Sequence, residues 1–169
     1  MSVYNFSLMI SAPTVDEETA ADQLYSGGCD DALFSVSGGI YEVEFDREAS
    51  SLVDAVRSAI SDVNKAKIGS RVVRVVPDDL VNANVIAERS GKTRQAVSLW
   101  IRGERGKGFP PPTAKVGESP VWSWKSVAEW LRGRGELEPE VVENAATLAE
   151  INRMLELESQ PPTRARLSS

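Results

Sequence analysis

The sequence contains no histidine and a single cysteine, Cys29. The missing imidazole excludes histidine-dependent triads, histidine general bases and histidine-containing metal sites. One cysteine cannot form an internal disulfide, which together with the lack of a basic, apolar leader pattern at "MSVYNFSLMISAPT" points to a cytoplasmic protein. There is also no uninterrupted apolar run of membrane-spanning length, about 18 residues, so no membrane partner is expected. Catalytic motifs are equally scarce. "SVSGG" lacks the glycine spacing of a nucleophile elbow, and Asp30 and Asp31 read as a turn. Cys29, with no base to activate it, reads as a small buried hydrophobe. The chain is therefore not expected to be an enzyme, and no cofactor is implied.

What is present is an uneven distribution of charge. The 169 residues have a formal net charge of −6. Residues 1–79 hold 6 basic and 14 acidic side chains, residues 80–135 hold 10 and 4, and residues 136–169 hold 3 and 7. A basic middle between acidic flanks suggests a polyanionic partner for the middle segment.

The first 78 residues alternate between strand and helix signals. "VYNFSLMIS" places Tyr4, Phe6, Leu8 and Ile10 on one face of a strand. "TVDEETAADQLYSGG" reads as a helix, with Thr14 as its cap, Glu17 completing a capping box and Gly27–Gly28 as its stop. "ALFSVSGGIYEVEF" is a hairpin about Gly38–Gly39. Leu52, Val56, Ile60 and Val63 mark a second helix closed by Gly69, and "RVVRVV" is a last strand. The order βαββαβ resembles the ferredoxin-like arrangement, which hosts sensors, dimerisation modules and enzymes alike. Residues 1–78 are thus expected to be a regulatory or dimerisation domain, and their acidity opposes contact with nucleic acid.

The middle segment carries the functional signal. In "DDLVNANVIAERSGKTRQAVSLWIRG", Asn82 or Asn84 can cap a short helix with Ile86 and Ala87 facing inward. Gly91 permits a sharp left-handed turn. Thr93 can cap a second helix whose Ala96, Val97 and Trp100 face inward. Arg94, Ser98 and Arg102 then share an outer face at i, i+4 and i+8, with Gln95 and Leu99 beside them. "TAKVGESPVW" follows as a small hairpin about Gly117, and Ser123 can cap a helix bearing Val127, Trp130 and Leu131. Trp100, Trp122, Trp124 and Trp130 are expected in the core.

The spacing of Ala87, Gly91 and Val97 matches the helix-turn-helix signature, and residues 80–133 resemble the winged helix-turn-helix of excisionase, AlpA-type and MerR-like regulators. That resemblance implies sequence-specific binding of double-stranded DNA through a recognition helix in the major groove, and hence a bacterial or phage transcriptional regulator. It places Arg94, Gln95, Ser98 and Arg102 toward bases or phosphates, and Lys92 and Thr93 on the backbone at the helix start. Arg105, Lys107 and the wing residue Lys115 complete the expected DNA-binding set, while Glu118 at the wing tip opposes phosphate.

Residues 136–158 read as a C-terminal helix, with Val141, Asn144, Leu148, Ile151 and Leu155 as an apolar stripe that either pairs with a second copy or packs within the chain. Residues 159–169 are expected to be a disordered tail. The whole is an α+β chain: a ferredoxin-like domain, a winged helix-turn-helix over residues 80–135, and a terminal helix. A homodimer is expected on DNA, its second source of contact being the open edges or exposed face of the N-terminal sheet. Two other readings remain: a protein-interaction module of antitoxin or anti-repressor type acting through the acidic domain, and a regulator that senses a small molecule there.

Overall fold

A computed structural model describes residues 1–159; the expected tail from residue 160 onward lies outside the described residues. The chain is a mixed α+β protein that divides into two compact units. Among the described residues, one comprises Met1–Pro77 together with Glu150–Ser159, and the other comprises Asp78–Ala149.

In the first unit, strands β1 (Ser2–Ile10), β2 (Ala32–Ser37), β3 (Ile40–Ala49) and β4 (Val72–Val76) form an antiparallel sheet in the order β2-β3-β1-β4. Helices α1 (Glu17–Ser26) and α2 (Leu52–Lys65) alternate with the strands along the chain. Period-two patterning turns Phe6, Leu8 and Ile10 of β1 and Val43 and Phe45 of β3 inward, where the Phe6 and Phe45 rings stack 5.3 Å apart. Leu52, Ala55, Val56, Ala59 and Val63 are the buried stripe of α2. Each fully buried Leu, Val or Phe contributes about 1.5–3 kcal/mol relative to exposure. The opposite face of β3 presents Glu42, which is half-buried, and Glu44, Asp46 and Glu48, which are exposed.

The cap of α1 differs from the sequence expectation. Asp16, not Thr14, is the N-cap, accepting from the Thr19 amide at 2.7 Å. The Thr14 hydroxyl instead donates to the Ile68 carbonyl, and the Thr14 amide does the same. A long-range contact has taken the side chain that local chemistry would have spent on the helix.

An ion pair is built into this core. Arg47 sits at an inward position of β3 and is only 7% exposed. Its guanidinium donates to both oxygens of Asp31 (2.8 and 2.9 Å), to Asp62 and the Gly28 carbonyl (both 2.8 Å), and to Ser58. Asp31 is therefore not merely a turn residue. Burial pushes the neighbouring Cys29 thiol up to about 11, with Asp62 adding to the shift, so the thiol stays protonated near neutrality.

The second unit begins with strand β5 (Leu80–Val81), which has no counterpart in the sequence reading. Helices α3 (Ala83–Ser90) and α4 (Arg94–Ile101) follow, then β6 (Ala114–Val116), β7 (Ser119–Ser123) and α5 (Trp124–Gly133). The three strands form a small antiparallel sheet in the order β5-β7-β6. One core joins Val81, Ile86, Val97, Trp100, Trp122, Trp124, Val127 and Leu131. Three of the four tryptophans are buried, and Trp130 is packed half-buried against that core.

Helix α6 runs Pro139–Ser159 rather than 136–158. Its apolar stripe is buried within the chain, and its first turns are shifted by one residue. Val142 and Ala145 join the core of the second unit, whereas Val141 is exposed and Asn144 is half-buried. Leu148, Ile151 and Leu155 are buried as their spacing predicts, so the stripe is not a free surface for a second copy. No helix among the described residues is long and apolar enough to cross a membrane.

Candidate nucleic-acid interface

The α3–α4 pair is fixed by local chemistry. The Asn82 side chain accepts from the Val85 amide (2.9 Å), capping α3, and Thr93 accepts from the Ala96 amide (3.0 Å), capping α4. Between them Gly91 adopts φ 69°, a left-handed conformation, and closes α3 through its amide. Val97 and Trp100 turn into the core, which leaves the opposite side of α4 to solvent.

That outer side carries Arg94, Gln95 and Arg102, all exposed, with Ser98 half-buried between them and Ile101 partly exposed. Arg94 is not loose: its Nε donates to Asn84 Oδ1 at 2.5 Å, which ties the start of α4 back to α3. Arg94, Asn84 and Ile101 share a cleft of about 230 Å³ with Ser119 and Pro120 of β7, so the α4 face and the hairpin border one another.

Arg105 and Lys107 lie on the loop that follows α4, and the structure supplies an anchor that the sequence reading missed. The Trp130 indole N–H donates to the Lys107 carbonyl (2.8 Å), and that of Trp122 donates to the Pro110 carbonyl (3.0 Å). Phe109 packs edge-on to both rings. Gly106 is crowded, since a Cβ there would meet Arg134 Nη1 at 2.5 Å and the Trp130 ring at 3.0 Å, so the arginine would have to swing away and the ring give slightly. The loop backbone is thus held at several points while the Arg105 and Lys107 side chains remain exposed. The available signal was the alternation of Gly103, Gly106 and Gly108 with "FPPP", read against tryptophans without assigned polar partners.

Carboxylates temper several cations. Lys92 pairs with Glu136 at 3.3 Å, and Arg134 pairs with the same residue at 2.9 Å. These cations, Arg134 first, hold the Glu136 carboxyl below its usual range. Arg102 meets Glu104 at 2.7 Å, and Lys115 reaches Glu118 at 3.7 Å across the hairpin turn. The Arg102 and Lys115 pairs are solvent-exposed and individually weak, whereas those at Glu136 are partly buried. Arg89 is set apart from the group: it lies 5.5 Å from the Trp124 ring, and burial lowers its pKa. Among the described residues, no group of three or more acidic, cysteine or histidine side chains is placed to hold a metal.

No protein-family model matches the chain, and neither a curated protein nor a solved structure matches it.

Proposed function

We propose that this protein is a sequence-specific double-stranded DNA-binding regulator, with the second unit acting as a winged helix-turn-helix and α4 entering the major groove. The observation that carries this reading is the exposed α4 face bearing Arg94, Gln95, Ser98 and Arg102, flanked by an anchored basic loop, inside residues 80–135, which hold 10 basic and 4 acidic side chains in an acidic chain. In this reading Arg94 and Gln95 reach base edges, Arg being suited to guanine and Gln to adenine. Lys92, Thr93, Arg105 and Lys107 contact phosphates and fix the register. The hairpin of β6 and β7 is the wing; Lys115 touches the backbone there, and Glu118 limits its grip. The first unit is ferredoxin-like, a reading supported by its βαββαβ order and its β2-β3-β1-β4 sheet.

Selection of bound duplexes from a random DNA pool, followed by sequencing, tests the proposal. A recurrent motif is the expected outcome, and recovery no better than from a column without protein would refute it.

One observation favours a second reading. Glu42, Glu44, Asp46 and Glu48 form a carboxylate column along one face of β3. Such a column suits a basic protein partner, as in an anti-repressor, and this use is compatible with DNA binding by the other unit.

A further inference from the structure

The two edges of the four-stranded sheet are treated differently. Strand β4, at one edge, is closed off. Asn152 bonds both main-chain groups of Val75, the register is broken by a bulge between Met9 and Ile10, and Pro77 follows the strand. Such devices stop an edge from pairing with another chain. Strand β2, at the other edge, has none of them. Its six residues, "ALFSVS", contain no charge and no proline, and they pair with β3 in unbroken register.

The pairing parity shows what this edge offers. Ser37 and Ile40 flank the two-residue Gly38–Gly39 turn, so Ser37, Ser35 and Leu33 exchange bonds with β3. The N–H and C=O groups of Phe34 and Val36 then point outward, away from the sheet. Apolar side chains flank them, with carboxylates gathered beside the start of the strand. Leu33 is 67% exposed on one face, and Tyr25 is 66% exposed on the other. A cavity of about 290 Å³ opens there between α1 and β2, with Ala21, Leu24, Tyr25, Cys29, Phe34 and the single charged residue Asp22 in its lining.

We infer that β2 is a docking edge for β2 of a second copy of this chain, joining two sheets into one continuous antiparallel sheet. The chemistry of the edge requires an extended backbone as the occupant. The charge around it selects a copy in antiparallel orientation. Asp30 and Asp31, the latter paired to Arg47, precede β2 and stand with Glu44 and Asp46 of β3 around its first residues, whereas the glycine turn that follows it is neutral. In a twofold pair the acidic end of one strand faces the neutral turn of the other, so the like charges stand roughly 20 Å apart, the length of six extended residues. A parallel pairing would stack them. Twofold pairing is also isologous: about a centre at Ser35, the outward groups of Phe34 meet those of Val36 in the other copy and the reverse, and Tyr25 and the α1 cavity are covered from the same side. The other candidate surface, the α6 stripe, is already buried within the chain.

This inference rests on the first unit alone and is independent of DNA binding. Light scattering and analytical ultracentrifugation on the full chain test it. The wild type is expected to reach the mass of two chains as concentration rises. Val36→Pro removes an outward N–H that β3 does not use, and should return the mass to one chain. The pair Leu33→Lys with Ser35→Lys alters only exposed side chains and should do the same with an unchanged far-ultraviolet circular dichroism spectrum. A wild type that stays at the mass of one chain throughout overturns the inference, as does a Leu33→Lys/Ser35→Lys variant that dimerises as well as the wild type.

Discussion

Asn152 of α6 and Val75 of β4 are joined by two hydrogen bonds, though 77 positions separate them in the chain. The carboxamide oxygen accepts from the Val75 amide at 2.7 Å, and its nitrogen donates to the Val75 carbonyl at 3.0 Å. The side chain thus takes the place of a neighbouring strand's peptide group. Asn152 is only 4% exposed, so water cannot replace it cheaply. Asn152→Ala should lower stability by about 1–3 kcal/mol for each group left unpaired, measured by urea denaturation. Asn152→Asp retains the acceptor but sets a buried carboxylate against the Val75 carbonyl. Its folded-state pKa should rise, so that variant should be least stable at neutral and higher pH and recover as pH falls.

Arg47 gives a larger expected loss. Its guanidinium satisfies Asp31, Asp62 and the Gly28 carbonyl together, and it lies 4.9 Å from the Phe45 ring. Arg47→Met keeps much of the apolar stem but leaves both carboxylates without their cation. Removing one partner of a buried pair typically costs about 3–5 kcal/mol. The change should appear as a lower denaturation midpoint. Arg47→Lys should recover only part of the loss, because an ammonium cannot make the forked contact with Asp31. A variant as stable as the wild type would show that this network contributes nothing net.

A third prediction concerns pH. Asp16 has its carboxyl held below the ordinary value, chiefly by the Thr19 amide and hydroxyl. A depressed folded-state pKa means stability that is present above the unfolded pKa and lost as pH falls through the folded one. Thermal stability should therefore decline across the acidic carboxylate range. Asp16→Asn, which keeps a capping oxygen but cannot titrate, should reduce that decline while leaving α1 formed at neutral pH.

These residues also mark what a sequence can disclose. Gly91 and Thr93 were legible as turn and cap, and the α3 cap as either Asn82 or Asn84, of which the structure uses Asn82, because their partners lie within a few positions. Val97 and Trp100 were legible because helical periodicity fixes their side of α4. The α1 cap was misread because Thr14 is drawn to Ile68, a contact spanning 54 residues. Arg47 occupies an inward place in the alternation of β3, but its charge argued for the surface; only Asp31 and Asp62 arriving from elsewhere reconcile the two. Val142 and Ala145 displaced Val141 and Asn144 because the start of α6 is oriented by the core it meets, not by its own spacing. The two-residue β5 is too short to carry any period.

The turn between α3 and α4 separates backbone cost from crowding. A Cβ at Gly91 would meet nothing within 4 Å, yet φ is +69°. Gly91→Ala should thus cost only the left-handed penalty, about 1–2 kcal/mol, and Gly91→Asn less. Gly106→Ala should cost more, because its Cβ collides with Arg134 and Trp130. A chemical-denaturation series on the three variants gives the order, and equal losses for Gly91→Ala and Gly106→Ala would contradict the crowded loop.

The last prediction separates the contacts expected to read sequence from those expected to hold the backbone. Arg94→Ala should weaken binding to the selected DNA motif by about 1–3 kcal/mol and relax preference at one base pair. Lys107→Ala should weaken all sequences alike and reduce the salt slope by about one, as expected for one lost phosphate contact. Trp130→Phe keeps the ring packing but removes the N–H that holds the Lys107 carbonyl, so it should act in the same direction as Lys107→Ala without changing preference. Glu118 works the other way. It sits 3.7 Å from Lys115 and is fully exposed at the hairpin tip. Glu118→Gln removes a repulsion from phosphate and frees Lys115, so affinity should rise at low salt and the gain should shrink as salt is added. Fluorescence anisotropy across a salt series, on the selected motif and a scrambled duplex, measures all four. If Arg94→Ala binds both duplexes as the wild type does, α4 is not the reading helix.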